Sequence, residues 1–283
     1  MMMKRITAEA RTLDIPRSSH AVLFYEREEE KHGVVFPFIK AGLDRGEAAI
    51  YLSDEENVET IRRGLEVFGV DVEAHRGLRV VDSEEWYLEH GTMNKRRVVE
   101  KWMDAVRQAE KGGYKGLRIT GEPTCFFENN LVDSWMDYES SLPRRFDFPM
   151  TAICRYKLSD VTSYDEGRLL PDLLRIHNYT ITPKLAKEID FPAYYLDSVN
   201  EILGRTLGDT TRQVVLQYLE DTHGLSRLKI PERIPEFRRA LEGLLGVGGT
   251  SIELEILKDL YNKAGLRYNI RGGCPPGPSA TSR

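Results

Sequence analysis

Five short apolar runs, separated by stretches of helical periodicity, govern what this chain can fold into. The runs are Ala21 to Tyr25, Ala48 to Leu52, Leu78 to Val81, Leu117 to Thr120 and Met150 to Tyr156. Each is rich in branched or aromatic residues and almost continuously apolar, the pattern of strands buried on both faces. Between them, Val34, Val35, Phe38, Ile39 and Leu43 share one helical face, as do Ile61, Leu65 and Phe68. Val98, Val99, Trp102, Met103 and Val106 form a third stripe, Leu131, Trp135, Tyr138 and Leu142 a fourth, and Leu169, Leu170, Leu173 and Leu174 a fifth. Strand and helix in alternation predict an α/β fold, a parallel sheet flanked by helices. Gly46, Gly69 and Gly112-Gly113 stand where these helices should stop. Pro37 lies inside the first stripe and deletes an intrahelical bond, so a kink, or a helix starting near Phe36, is expected.

The alternation fails around Thr180, and the chain divides accordingly: an N-terminal extension over 1–15, an α/β domain over 16–182, a linker over 183–193 flanked by Pro183 and Pro192, and helical signals alone over 194–271. Those signals are Val199, Ile202 and Leu203, then Val214, Val215, Tyr218 and Leu219, then Pro235 in a first helical turn ahead of Phe237, Leu241 and Leu244. A last helix carrying Ile256, Leu257 and Leu260 opens on Thr250-Ser251-Ile252-Glu253, a capping-box pattern. The final segment, "GGCPPGPSATSR" over 272–283, has almost nothing to bury and reads as a disordered tail.

Charge narrows the partners. The formal net charge is -5, with 12 basic and 11 acidic residues from Tyr194 onward against 28 and 34 before it. An acidic α/β domain argues against broad nucleic-acid binding, which leaves a basic footprint. The basic clusters Lys95-Arg96-Arg97 and Arg144-Arg145 have acidic neighbours and read as solvated faces. Cys125, Cys154 and Cys274 are odd in number and widely spaced, which suggests neither a disulfide framework nor a CxxC metal site. No apolar run approaches the roughly 18 residues of a bilayer span, and Met1 to Ile15 is too charged for a signal peptide, so a cytoplasmic chain without a membrane partner is expected.

The turn after the first strand excludes the commonest use of such a fold. A phosphate loop needs GxxxxGK[ST], so that glycine amides wrap the phosphates and a lysine neutralises them. Here the turn reads Tyr25-Glu26-Arg27-Glu28-Glu29-Glu30, whose carboxylates repel a polyphosphate and suit a helix N-terminus. Ligands of doubly wound sheets bind beyond the carboxyl ends of the strands. Those ends offer Tyr25 and Glu26, Ser53 and Asp54, Gly121, Glu122, Thr124 and Cys125, and Arg155 and Tyr156. Glu122 can face a ligand or pair with Arg118 or Arg155. Trp135 and Tyr138, near Phe126 and Phe127, are core residues or the wall of an apolar pocket. His20 falls at the opposite, amino end, and His177 ends the fifth helix. A metal or haem could draw on His20, His177, Cys125 and Cys154, but no HxxxH, CxxC or CxxCH spacing puts two of them on one element. Cys154 alternates within a strand and reads as core. No metal ligand set is therefore assigned, the cofactor is unknown, and with no GxSxG elbow no catalytic residue is assigned either.

The segments "HAVLFYE", "PFIKAGLDRGEAAIYL", "GYKGLRITGEPTCFF", "YES", "AICRY" and "LLRIH" occur in that order, and with them the chain resembles the MEDS family, the methanogen and methylotroph sensory domain also found in the dichloromethane-responsive regulator. The resemblance implies a RecA- or KaiC-like fold that has lost its nucleotide loop and senses small molecules, with hydrocarbon derivatives proposed. "LGDTTRQVVLQYLE" and "ILKDLYNKAG" are similar to small output domains of archaeal sensor proteins. The expectation is a non-enzymatic sensor whose ligand set is His20, Tyr25, Glu26, Glu122, Thr124, Cys125, Trp135, Tyr156 and His177, with a small molecule, a homo-oligomer and a regulatory protein as partners. The alternatives are a divergent RecA/KaiC-type ATPase and an oligomeric interaction scaffold.

Overall fold

The computed structural model describes residues 15–53, 56–183 and 185–269. The expectations for Asp54, Cys274, the extension up to residue 14 and the tail over 272–283 lie outside the described residues. The strands are β1 (His20–Tyr25), β2 (Ala48–Ser53), β3 (Leu78–Asp82), β4 (Leu88–Glu89), β5 (Thr92–Met93), β6 (Leu117–Gly121), β7 (Met150–Lys157), β8 (Tyr179–Thr182) and β9 (Leu185–Glu188). The helices are α1 (Glu28–Asp44), α2 (Val58–Val67), α3 (Ser83–Tyr87), α4 (Lys95–Lys111), α5 (Thr124–Glu128), α6 (Val132–Glu139), α7 (Leu158–Ser163), α8 (Leu169–Ile176), α9 (Phe191–Leu207), α10 (Asp209–His223), α11 (Ile234–Leu245) and α12 (Val247–Lys263).

The five apolar runs become five parallel strands of one sheet, ordered β3-β2-β6-β7-β1-β8-β9. β8 extends it in parallel beside β1, and β9 closes it antiparallel to β8. The stretch expected to be a linker over 183–193 thus holds an edge strand instead. Polar residues and a proline read alike in a linker and in a tight hairpin. Here the Thr182 hydroxyl accepts the Leu185 amide at 3.1 Å and helps to close the turn.

Alternation along each strand gives the sheet two different faces. On one, Ala21, Leu23, Ala49, Tyr51, Ile153 and Ile181 meet Val34, Val35, Phe38, Ile39 and Leu43 of α1 and Ile61 and Leu65 of α2. Each buried Val, Leu, Ile or Phe among them contributes about 1.5–3 kcal/mol. Helix α1 runs unbroken through Pro37 rather than starting near Phe36. The carbonyl that Pro37 leaves without its amide belongs to Gly33, on the exposed side of the helix where water can reach it. The other face is aromatic: Trp135 has ring centroids at 5.0 Å from Tyr87, 4.8 Å from Phe126 and 5.3 Å from Tyr138.

The chain forms two compact units. The first is the sheet with its helices, through Leu158 and again over Leu173–Asp190; the second takes Ser159–Asp172 and the residues from Phe191 onward. In the second unit Val199, Ile202, Leu203, Leu219, Phe237, Leu241, Ile256 and Leu260 are buried. Val214 and Tyr218, expected on the packed face of α10, are exposed, and Val215, Leu216 and Leu219 carry its burial. Helix α12 starts at Val247, after Gly246 with φ of 58°, rather than near Thr250. Glu253 does not close a capping box: it accepts two hydrogen bonds from the Arg168 guanidinium, both at 3.1 Å. No described helix is long and apolar enough to cross a membrane.

Candidate functional site

β1 ends at Tyr25 and α1 starts three residues later, so the first turn of α1 lies against the carboxyl ends of β1, β6 and β7. Into this corner project Tyr25, Lys31, Glu122 and Arg155, each at most 1 % exposed. The Tyr25 hydroxyl donates to Glu122 in a short bond. Lys31 Nζ lies 3.2 Å from Glu122 Oε1, and the Arg155 guanidinium 3.5 Å from Oε2. Arg155 also donates to the Tyr51 hydroxyl and the Leu52 carbonyl. Lys31 pairs further with Glu28 and, at 3.4 Å, with Glu56. Arg118, the other partner considered for Glu122, pairs with Glu47 at 2.5 Å instead.

Burial pushes the Glu122 carboxyl up, but Arg155, Lys31 and the Tyr25 hydrogen bond outweigh it and hold the group below the ordinary carboxylate range. Burial likewise pushes the Tyr51 phenol up to about 12, so it stays protonated beside Arg155. The corner is a closed set of buried charges.

Position by position, Tyr25 to His32 has the spacing of a phosphate loop, with Lys31 where the loop lysine stands and Tyr25 and Glu30 where the glycines stand. The structure shows what occupies the turn. The Glu30 carboxylate accepts the amides of Glu26 at 3.1 Å and Arg27 at 3.3 Å, placing an internal anion on the turn. Lys31 is already neutralised by carboxylates. Glu26 itself is exposed.

A second polar cluster occupies the aromatic face. His20, the first residue of β1, points away from the α1 side, as does Cys154 of β7, two residues beyond His20's register partner Ala152. Glu139, the last residue of α6, and His177, just past α8, close the group; both, like His20, are fully buried. His20 Nε2 lies 3.3 Å from Glu139 Oε2 and 3.4 Å from Cys154 Sγ, and His177 Nε2 lies 3.6 Å from Glu139 Oε2. His20 Nδ1, Glu139 Oε2 and His177 Nε2 nevertheless have no hydrogen-bond partner among the described residues.

Surrounding residues fix these groups in place. His177 Nδ1 is 2.8 Å from the Leu173 carbonyl, which accepts its proton and leaves Nε2 bare. Trp135 donates to the Tyr156 hydroxyl at 2.7 Å, and Tyr156 donates to Glu139 Oε1 at 3.3 Å. The His20 amide donates to Asn178 Oδ1 at 2.8 Å. Burial, with His20 close by, lowers the His177 imidazole to about 3, so it is neutral. Burial, then Glu139, pushes the Cys154 thiol well up. A cavity of about 20 Å³ adjoins the cluster, lined by His20, Glu139, Cys154, Tyr87, Trp102 and Tyr138 among others. That is room for roughly one water molecule.

A family model, MEDS (MEthanogen/methylotroph, DcmR Sensory domain), matches residues 19–178, more than half of the chain. The chain belongs to the MEDS family. Both polar clusters lie inside the MEDS match. No curated protein matches the chain. Among solved structures, a KaiC-like protein from Pyrococcus horikoshii OT3 is similar at 16% identity and a TM-score of 0.42, over 59% of this chain and 72% of the other. An uncharacterized protein from Pyrococcus horikoshii, solved with an unknown peptide, is similar at 21% identity and a TM-score of 0.41, over 62% and 82%.

Of the residues singled out from sequence as a ligand set, the MEDS domain brings six to the two clusters and leaves Glu26, Thr124 and Cys125 outside them. Tyr25 and Glu122 join the charged corner, while His20, His177, Trp135 and Tyr156 join the histidine cluster. Thr124 and Cys125 are buried in α5, and Cys125 stands outside the convergent donor group. Cys154, read as core, is one of its donors. Sequence reasoning missed Glu139 and the buried state of Lys31. The spacing of Lys31 from the strand end was a readable signal; Glu139, within "YES", carried none beyond the family resemblance. The basic clusters are engaged locally: Lys95 pairs with Asp137 and Arg145 with Glu188, and Arg144 donates to the His177 and Ile189 carbonyls.

Proposed function

We propose that this MEDS protein is a non-enzymatic sensor whose α/β unit responds to a very small ligand at the histidine cluster, and whose helical unit passes the state to a partner. The observation that carries the reading is the filled turn. Glu30 occupies the amides and Glu122 the lysine that a nucleotide would need, while three polar atoms unsatisfied among the described residues, His20 Nδ1, Glu139 Oε2 and His177 Nε2, lie together in the second cluster, beside a cavity. Membership in a family described as sensory supports the same class. The cavity as it stands holds an ion or about one water, so a one- or two-carbon ligand would have to open it, and a nucleotide or a haem is disfavoured. For signalling, the ligand must prefer one conformation by a few kcal/mol.

The experiment is a thermal-shift panel of one- and two-carbon organics, metal ions and magnesium nucleotides on the full chain, with native mass spectrometry of protein from its own organism. A rise in melting temperature with a small ligand, lost in His20→Ala, is expected. Saturable, magnesium-dependent ATP binding would replace the reading with the ATPase alternative.

A further inference from the structure

We infer that His20, Glu139, Cys154 and His177 form a four-donor site for a transition-metal dication, with zinc as the best fit. The inference concerns the cavity of the proposed sensor but stands on the donor geometry alone. Tetrahedral zinc, with bonds of about 2.0–2.3 Å, holds neighbouring donor atoms roughly 3.3–3.6 Å apart. The three separations here are 3.3, 3.4 and 3.6 Å, and all four donor atoms lie within 4.8 Å of one another. The Cys154–His20 contact is within sulfur hydrogen-bond range, but the two contacts to Glu139 Oε2 leave that oxygen and His177 Nε2 without a hydrogen bond among the described residues, and all three spacings are ones that ligands around a common ion adopt.

The unsatisfied atoms point the same way. Buried polar atoms without partners are uncommon and call for an ion or a water. Two of those here, Glu139 Oε2 and His177 Nε2, are donor atoms of the group. His177 is held in the tautomer a metal requires, by its Nδ1 contact to the Leu173 carbonyl. Tyr156 orients the Glu139 carboxylate from the side away from the cluster.

Donor chemistry selects the ion. Thiolate and imidazole favour zinc, cobalt and copper over magnesium or calcium, which take oxygen. On binding, the Cys154 thiol gives its proton to solvent. The thiolate and the carboxylate then balance a dication, leaving the buried site neutral, whereas a monovalent ion would leave it negative.

The test uses the full chain, stripped with chelator and titrated with Zn²⁺ and with Co²⁺. One tightly bound ion per chain is expected, with a higher melting temperature. Co²⁺ should give the intense visible bands of tetrahedral coordination and a thiolate charge-transfer band. Cys154→Ser should abolish the charge-transfer band, and His177→Ala should weaken zinc on the order of 100-fold or more, with the metal-free unfolding midpoints showing that both variants fold. His32→Ala serves as the control, because Glu28, His32 and Glu56 form a more exposed donor group; it should leave binding unchanged. Absence of a stoichiometric ion, or binding that survives in Cys154→Ser/His177→Ala and disappears in His32→Ala, overturns the inference. If zinc fails while a small organic still raises the melting temperature, the sensor reading stands without the metal; if zinc binds but no conformational or oligomeric response follows, the sensor reading fails instead.

Discussion

On the α1 face of the sheet, Glu122 is enclosed by Lys31, Arg155 and the Tyr25 hydroxyl, and its carboxylate is fully partnered. On the opposite face, Glu139 is equally buried, yet one oxygen and the facing imidazole nitrogen have no hydrogen-bond partner among the described residues. Both are carboxylates without solvent, and the contrast lies in what surrounds them. A buried charge set that closes on itself holds the fold, because every desolvated ion has its counter-charge. A set with bare lone pairs converging on a cavity is incomplete without a further species. On the α1 side the buried charges are structural, and the proposed binding site lies across the sheet.

The largest expected effect would break the structural half of this contrast. Glu122→Ala leaves Arg155 buried without its counter-charge and Lys31 with only Glu28 and Glu56, and should cost about 3–5 kcal/mol, read from the urea midpoint. A loss below about 1 kcal/mol would mean that the corner is not structural. The same carboxylate sets an acid limit. Its folded pKa lies below its ordinary 4.5, so its contribution is present above that value and is lost as pH falls through the lower folded one. Glu122→Gln should therefore show a flatter fall of the urea midpoint below pH 4.5 than the parent chain.

The binding half predicts a somewhat smaller effect. At a free zinc concentration of 100 times the dissociation constant, stability should rise by about 2.7 kcal/mol, and chelator should reverse it. No gain would place the histidine cluster in the same class as the charged corner. The smallest effect sharpens the account of the filled turn. Glu30→Ala removes the carboxylate from the Glu26 and Arg27 amides and should cost about 1 kcal/mol by urea unfolding. If it also created affinity for inorganic phosphate in calorimetry, the turn would prove to be an anion site held shut by its own side chain.

Much of the frame was legible because parallel strands buried on both faces leave an unmistakable apolar run, and all five runs found became strands. β8 and β9 were not, since short polar edge strands look like linkers. The site was legible only in part. Tyr25, Glu122 and Tyr156 follow from the rule that ligands gather at strand ends, yet the rule assigned them a single pocket, and Glu122 and Tyr156 face different clusters. His20, Cys154 and His177 were seen as metal-type donors and set aside, because local spacing cannot reveal donors brought together from β1, β7 and the end of α8. Glu139 was invisible for the same reason, with its position at the end of α6 gaining meaning only when the helix is laid on the sheet. Val214 and Tyr218 show the converse error, in which an apolar pair was counted toward a stripe that turns slightly away from it.

The antiparallel strand β9 has a further implication for how copies of this protein can meet. It is four residues long, ends in Lys187 and Glu188, and offers little flat, apolar edge for another strand to join. On that side the sheet stops growing, so any assembly formed through β9 would have to desolvate charged side chains. The edge is therefore poorly suited to templating strand addition, the route by which exposed sheets aggregate.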